Sequence, residues 1–316
     1  MAEFVVAVCL VLCPWSEAAN VGTGFGETLW ALTSARQAGT GGLMLEDPWR
    51  EGAQVEASTV ILQPGARWVG LGCQAGVGPA LRLGGEGFVF QSATVSRTLE
   101  LSDGSFGGTQ GSVSAQEWGG RVVGQLMVWS RGDWRVAGLG RVSGVFQRLP
   151  DVNHVGAMAE GGAVAERLLG SADQALTAWG LMGPLGWGAG RFSTWQISGG
   201  VGWLNKMADG WVFPGAEGCG VGMEGDILGE QLLHGGVGGV YWFGRPDDAG
   251  PTLFVRAGIR SMSGTAREVQ PRGGVGLLWN WRGGLGLQFD YAVVPLGDLG
   301  LLHYGTLSLR RVMRGE

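Results

Sequence analysis

The sequence predicts an all-β protein, a transmembrane antiparallel outer-membrane β-barrel of about fourteen strands with a short N-terminal helical or hatch segment. Three observations lead to this prediction. From Arg272 onward, apolar residues or glycine alternate with polar or small residues, the side-chain period of a strand with one apolar face. Glycine makes up 63 of the 316 residues, against a usual share of about 7%. The sequence has no apolar run of about 18 residues, which excludes an ordinary transmembrane helix.

The N-terminus predicts a secretory signal peptide over residues 1–18. Residues 4–13 form a continuous apolar run that is too short to span a membrane, and small residues precede a cleavage site after Ala18. The region ahead of the run contains Glu3 and no lysine or arginine, so a buried N-terminal strand is the alternative interpretation.

The next segment, residues 19–52, is expected to pack in or against the barrel. Within it, Leu29, Leu32 and Arg36 have helical spacing, which predicts a short helix over Glu27 to Gln37 in the barrel mouth or lumen.

Residues 53–316 are assigned to the barrel because alternating segments recur along them at short spacing. The clearest pair is 118–131 and 134–147, which the turn Gly132-Asp133 joins into a predicted hairpin. The acidic, glycine- and alanine-containing stretch from Arg148 to Gly170 is predicted to be a long external loop or a partly helical excursion. The further predicted strands are 66–75, 81–89, 93–101, 172–183, 186–198, 217–228, 232–244, 251–262, 272–282, 285–293 and 303–312, with one more in 200–213.

Parity assigns a face to each strand residue. Leu287 and Phe289 are expected to face lipid, and Gln288 and Asp290 to face the lumen. A soluble sandwich is the alternative, but arginines stand opposite the apolar parity at mid-strand as well as at strand ends, as a wet lumen would require. These arginines are Arg82, Arg121, Arg135, Arg141, Arg256, Arg260, Arg272 and Arg310. Tryptophans near strand ends predict interfacial girdles; they are Trp118, Trp129, Trp134, Trp187, Trp242 and Trp281.

Composition and motifs argue against several function classes. The formal charge of −5, with basic residues spread singly, does not favour nucleic-acid binding. The segment from Gly220 to Gly225 matches a dinucleotide-binding pattern formally, but it lacks a βαβ context. The nucleophile-elbow pattern Gly-x-Ser-x-Gly does not occur. Because neither motif is supported, the sequence predicts no cofactor and no enzymatic activity. Histidines are expected in loops, lumen or interface rather than at a metal; they are His154, His234 and His303. Inward carboxylates are expected to be salt-linked to arginines; they are Glu224, Asp226 and Asp290.

Two cysteines remain after removal of the predicted signal, Cys73 and Cys219. They could form one disulfide in an oxidising compartment. The favoured interpretation is that they are two small apolar residues in unrelated strands.

Two segments carry a family resemblance. Residues 34–47, Ser-Ala-Arg-Gln-Ala-Gly-Thr-Gly-Gly-Leu-Met-Leu-Glu-Asp, resemble the N-terminal ARxAxMGG…DD stretch of PorV/PorQ-type outer-membrane proteins. Residues 289–310 resemble that family's penultimate strand, its Pro-x-Gly-Asp/Glu-Leu-Gly turn and its final strand. The motif residues carried over, with a structural role, are Arg36, Gly41, Gly42, Pro295, Gly297, Asp298, Leu299 and Gly300.

The resemblance implies a fourteen-stranded barrel akin to FadL-type transporters of hydrophobic compounds, in the bacterial outer membrane. Its best-known members serve type IX secretion, so the implied partners are outer-membrane lipid and either small hydrophobic solutes or exported cargo. A barrel that acts as a structural or surface anchor, with loops that bind partners, is the alternative. The chain departs from the family at Pro48 to Gly52 and in the residues after its final strand.

Overall fold

The computed structural model describes residue 35 and residues 52–311, except for 63–65, 78–79, 93–94, 101–105, 149–152, 170–173, 186–193, 207–215, 229–231, 245–248, 263–267 and 296–299. The described residues form sixteen strands. In chain order they are β1 Ala53–Leu62, β2 Ala66–Val77, β3 Leu81–Gln91, β4 Val95–Glu100, β5 Phe106–Val113, β6 Gln116–Arg131, β7 Trp134–Arg148, β8 Asn153–Leu169, β9 Gln174–Leu185, β10 Thr194–Lys206, β11 Ala216–Leu228, β12 Leu232–Phe243, β13 Gly250–Met262, β14 Glu268–Asn280, β15 Leu285–Pro295 and β16 Leu301–Arg311.

Fourteen of these strands close into an antiparallel barrel. Each wall strand pairs with its neighbour in the chain, β3 pairs with β6, and β1 closes the wall by pairing with both β2 and β16. Closure leaves no free sheet edge, which is the condition under which strands can cross a hydrocarbon layer. The prediction of a transmembrane antiparallel barrel of about fourteen strands is therefore confirmed.

The strands β4 and β5 form a separate two-stranded sheet between β3 and β6. We call the end of the barrel that carries this insertion the hairpin end. The opposite end, where β1 starts and β16 stops, is called the termini end. The predicted tight hairpin also lies at the termini end, where Gly132 adopts a φ of 58° in the turn between β6 and β7.

The two faces of the wall follow the predicted parity. Leu287 and Phe289 are 38% and 53% exposed on the outer face. Gln288 and Asp290, which alternate with them, are 3% and 0% exposed on the inner face. The outer face carries many exposed valine, leucine and isoleucine side chains, as lipid contact requires. Among the described residues, three separate apolar clusters lie on the inner face.

One long prediction is wrong. Residues 153–169, inside the stretch predicted as an external loop, form β8, a strand of 17 residues paired with β7 and β9. Its outward positions include Ala157, Ala159 and Gly161, and its inward positions include Gly156 and Glu160. Because small residues occupy both parities, the alternation has low contrast in the sequence, although the backbone pairing is complete along β7.

The predicted strand count is right for partly wrong reasons. The segment 93–101 contains β4, which lies outside the wall, and residues 200–206, the described part of 200–213, continue β10 instead of forming a strand of their own. Two wall strands absent from the prediction, β1 and β8, replace them.

Tryptophans flank the outer apolar face as predicted. Trp129, Trp134 and Trp281 are 47%, 41% and 44% exposed near strand ends. The guanidinium of Arg167 lies 5.4 Å from the ring centroid of Trp134, an interfacial cation–π contact. The ring centroids of Trp118 and Phe146 lie 5.5 Å apart. Trp187 lies outside the described residues. Across the described part of the chain, no helix is long and apolar enough to cross a membrane.

Candidate functional site on the inner wall

The inner wall carries charged residues midway along its strands. In β13 to β15, Arg256 and Asp290 form an ion pair of 2.6 Å, and their side chains are 4% and 0% exposed. Gln288 donates from Nε2 to both oxygens of the Asp290 carboxylate, at 3.1 and 2.9 Å. A carboxylate and a guanidinium removed from water require such partners, because isolation would cost several kcal/mol.

This ion pair crosses an intervening strand. Arg256 stands opposite Gly274 of β14, and Asp290 stands opposite Gly276 of the same strand. A Cβ on Gly276 would collide with both the Asp290 carboxylate and the Arg256 guanidinium. The glycine therefore lets two side chains meet over the middle strand. Arg310 and Asn280 repeat the arrangement, with Nη2 and Oδ1 3.4 Å apart and Gly286 between their strands.

The wall from β3 to β8 pairs its charges differently. Glu86 and Arg121 stand directly opposite each other on β3 and β6 and are joined at 2.6 Å. Arg141 of β7 pairs directly with Glu160 of β8, through Nη2 and Oε1 at 2.7 Å. The predicted lumen-facing position is thus confirmed for Arg121, Arg141 and Arg256, and the predicted salt link of Asp290 is confirmed by its pair with Arg256.

An apolar cluster covers the inner wall near the hairpin end. Trp68, Phe88 and Val145 are 3%, 4% and 4% exposed, with Val60 and Phe90 packed against them. The rings of Trp68 and Phe88 stack with centroids 6.0 Å apart and an interplanar angle of 25°. We call these five residues the hairpin-end cluster.

A neighbouring cluster receives a residue from the N-terminal segment. Ala35 has helical conformation and packs against Ala292, Val294 and Tyr304. Its backbone N–H donates to Thr306 Oγ1 at 2.9 Å. The two segments that carry the family resemblance therefore touch inside the barrel, although 271 positions separate Ala35 from Thr306.

Hydrogen bonds continue from Thr306 along the wall. The hydroxyls of Thr306 and Ser58 lie 3.1 Å apart, and Ser58 Oγ donates to Glu56 Oε1 at 3.2 Å. Gln54 Nε2 donates to the other oxygen of Glu56 at 3.1 Å. The backbone contact of Ala35 is thus joined to the polar residues of β1.

A third cluster lies near the termini end, where Trp242, Phe254 and Leu278 are 8%, 8% and 0% exposed. The girdle prediction is wrong for Trp242. This tryptophan is buried on the inner wall because its parity matches Val240, which packs against the same cluster. A position near a strand end predicts how high a residue lies along the barrel axis. It does not predict whether the side chain faces lipid or the lumen.

The structure places two of the eight family-motif residues. Pro295 ends β15 opposite Leu301, and Gly300 begins the return into β16 with a φ of 92°. Arg36, Gly41, Gly42, Gly297, Asp298 and Leu299 lie outside the described residues. The side chains of Glu224, Asp226 and Arg260, predicted to face the lumen, also lie outside them.

Sequence reasoning missed the hairpin-end cluster. Trp68 shares its parity with Gly70 and Gly72, and Phe88 shares its parity with Glu86. Residues on the parity that carries glycine and charged residues face inward. An aromatic residue on that parity could therefore have predicted the cluster.

The remaining chemical predictions have simple outcomes. Gly220 to Gly225 lies inside strand β11, so the dinucleotide interpretation has no loop to support it. Cys73 is a free, exposed thiol on β2, which excludes the disulfide alternative. His303 bonds the hydroxyl of Tyr291 through Nδ1 at 2.6 Å. Among the described residues, no group of three or more histidine, cysteine, aspartate or glutamate side chains could hold a metal ion.

Solved structures of similar fold include two hydrocarbon-related channels. The chain is similar to a mutant of the monoaromatic hydrocarbon channel TodX lacking S2 and S3, with a TM-score of 0.58, 8% identity, and 89% of this chain and 99% of that one covered. The toluene transporter TbuX of Ralstonia pickettii has a TM-score of 0.54 and 12% identity, covering 89% and 98%.

CdiB of Acinetobacter baumannii has a TM-score of 0.52 and 8% identity, covering 82% of this chain and 60% of CdiB. The chain therefore spans less than two thirds of the length of CdiB. No protein-family model and no curated protein sequence matches the chain. At these identities the likeness shows the fold alone, a closed antiparallel β-barrel like those of TodX and TbuX.

Proposed function

We propose that the protein is a non-enzymatic channel for small hydrophobic compounds in the bacterial outer membrane. The observation that carries this proposal is the pair of apolar aromatic clusters on the inner wall, one near each end. The interior of an outer-membrane barrel is ordinarily polar. Buried tryptophan and phenylalanine side chains there would bind an apolar solute on entry and again on exit, with the ion-paired residues between them.

The orientation follows from the lengths of the connections. Outer-membrane barrels have short periplasmic turns and longer extracellular loops. The insertion that contains β4 and β5 is at the hairpin end, so this end is assigned to the cell exterior and the termini end to the periplasm. A solute would then meet the hairpin-end cluster first.

The N-terminal organisation is part of the proposal. Residues 1–18 are a signal peptide, residues 19–52 are a segment held in or against the lumen, and the barrel begins at residue 53. One strand boundary and one contact support this division: β1 starts at Ala53, and Ala35 packs on the inner wall against Val294 and Tyr304. Such a segment would restrict passage through the lumen without breaking the wall.

The finer proposal is that the barrel is of PorV/PorQ type. Its support is the contact between the two resembling segments, made by Ala35 with β15 and β16. For the solute itself, the proteins TodX and TbuX are named as a monoaromatic hydrocarbon channel and a toluene transporter. We therefore favour hydrophobic solutes over exported cargo as the transported or bound species.

Uptake of an aromatic hydrocarbon tests the proposal. Cells that lack their own hydrophobic channels would express the protein and be exposed to ethylbenzene at low concentration. The wild-type protein should raise the rate of uptake, and Phe88→Gln should lower it at equal levels of assembled barrel. Val89→Leu, one residue away on the lipid face, is the matched control and should leave uptake unchanged. Uptake no faster than in cells without the protein, together with co-isolation of exported proteins, would favour cargo binding or surface anchoring instead.

A further inference from the structure

The indole nitrogen of Trp68 is a buried donor with no partner among the described residues. The side chain is 3% exposed on the inner wall, and within the described part of the chain nothing accepts a hydrogen bond from Nε1. An indole N–H can only donate, so an acceptor must come from elsewhere. Buried polar groups in native proteins are nearly always paired, and an exception calls for an explanation such as a ligand.

The wall is shaped to hold the Trp68 ring in place. A Cβ on Gly70 would collide with the six-membered ring of the indole, and a Cβ on Gly119 would collide with the Phe88 ring. Both rings therefore lie along the wall over glycine. Glycine permits this close approach because it has no side chain.

The row of polar residues next to Phe88 contains a paired carboxylate and guanidinium. On the inner face of β3 and β6, the row next to Phe88 contains Glu86 opposite Arg121, and these two neutralise each other at 2.6 Å. Ser143 stands opposite Arg121 on β7 and is 2% exposed. Its hydroxyl is a second buried group with no hydrogen-bond partner among the described residues.

We propose that the hairpin-end cluster binds a neutral compound with an apolar ring or chain and one hydrogen-bond-accepting oxygen, such as a ketone or an ester. The apolar body packs on Trp68, Phe88 and Val145, and Trp68 Nε1 donates to the oxygen. A neutral ligand is favoured over an anion because Arg121 is already paired with Glu86 and because Glu117, opposite Phe90, adds a buried carboxylate to the border. This inference rests on the proposed channel function and narrows its substrate class.

Two compounds of similar size separate the inference from the channel function. Acetophenone and ethylbenzene share the ring and differ by one carbonyl oxygen. Binding of each to the purified full-length protein would be measured by calorimetry, with partition into detergent alone subtracted. Wild-type protein should prefer acetophenone by about fivefold, the ratio expected for one neutral hydrogen bond.

Trp68→Phe keeps an apolar ring and removes the N–H. This variant should abolish the preference while its affinity for ethylbenzene stays within about twofold, which is less than the effect of one hydrogen bond. Trp279→Phe, on the exposed outer face, is the matched control and should keep the preference. A preference that survives in Trp68→Phe, or that is absent in wild-type protein, would overturn the inference.

A second pair of variants guards against a folding defect in Trp68→Phe. Gly70→Ala should displace the indole and remove the preference, whereas Gly72→Ala, where the nearest atom to the new Cβ is 3.6 Å away, should retain it. Loss of the preference in both, or retention in both, would count against the cluster as the site. If ethylbenzene uptake is normal in all four variants and the preference does not depend on Trp68, the channel proposal stands and only this inference fails. If the wild-type protein promotes no uptake, the channel proposal itself fails.

Discussion

Two parts of the inner wall pair their buried charged side chains in different ways. In the C-terminal wall, β13 to β16, the ion pair of Arg256 and Asp290 reaches over a strand and needs Gly276 beneath it. In the central wall, β3 and β6 to β8, pairs such as Glu86 and Arg121 join residues that already stand opposite each other. A lumen glycine is therefore required where a neighbour's side chain crosses it, as at Gly276, whereas an ion pair between directly opposite residues needs no glycine beneath it.

The largest expected effect is the loss of one partner of the crossing pair. Asp290→Ala leaves Arg256 buried without its carboxylate and should lower the free energy of unfolding by about 3–5 kcal/mol. Replacing both residues, as Asp290→Ala with Arg256→Met, should cost much less because no buried charge remains. Reversible urea unfolding in lipid vesicles measures both. An equal cost for the single and double variants would mean that the pair is not a coupled unit.

The outer faces of the two walls should respond alike, although their inner faces differ. Leu287→Arg in the C-terminal wall and Val142→Arg in the central wall each place a charge toward lipid, at positions 38% and 59% exposed. Each should cost about 2–4 kcal/mol. The yield of barrel folded into vesicles, and its unfolding midpoint, report the effect. A tolerated arginine at either position would show that its strand is displaced from the hydrocarbon layer.

The glycine beneath the crossing pair should be the next most sensitive position. Gly276→Ala forces the Asp290 and Arg256 side chains apart and should destabilise by about 1–3 kcal/mol, the cost of an overpacked site. Gly273→Ala on the same strand meets only the Arg256 backbone oxygen at 3.9 Å and should be nearly neutral. The difference between the two unfolding midpoints is the decisive quantity, and equal midpoints would remove the special role of Gly276.

The smallest effect is expected for a direct pair of the central wall. The side chains of Arg121 and Glu86 are 14% and 19% exposed, so water screens them more than it screens the crossing pair. Glu86→Gln should therefore lower the free energy of unfolding by about 1 kcal/mol, the upper end of the range for exposed pairs. A loss as large as that of Asp290→Ala would show that the two walls do not differ in this respect.

A strand of the wall could be predicted from the sequence where the side chains on its two faces differ clearly in polarity and size. In β15, large apolar residues such as Leu287 alternate with polar ones such as Gln288, so both the strand and its faces were predicted correctly. In β8, the outward positions carry alanine and glycine, and the inward positions carry glycine and glutamate. The low contrast between the two faces led to the wrong prediction of a loop. Strand pairing stabilises β8 through its neighbours, and a single-sequence pattern contains no information about those neighbours.

The candidate site was less accessible to prediction than the fold. The parity of Arg256 and Asp290 predicted that both face the lumen, but their pairing across Gly276 depends on the register of three strands. Trp242 shows the same limit, because its strand-end position suggested a girdle while its parity placed it inside. The contact of Ala35 with Thr306 joins parts of the chain that no local pattern connects.

From the sequence alone it follows that this chain forms amphipathic strands, which face of most strands meets lipid, and that charged residues face the lumen. These properties follow from a side-chain period of two, which is local. The tertiary structure was needed to show which strands close the wall, which glycines lie under a neighbour's side chain, and that no described residue accepts a hydrogen bond from the indole of Trp68. Those features arise from register and closure, because residues far apart in the chain become neighbours only when the last strand meets the first.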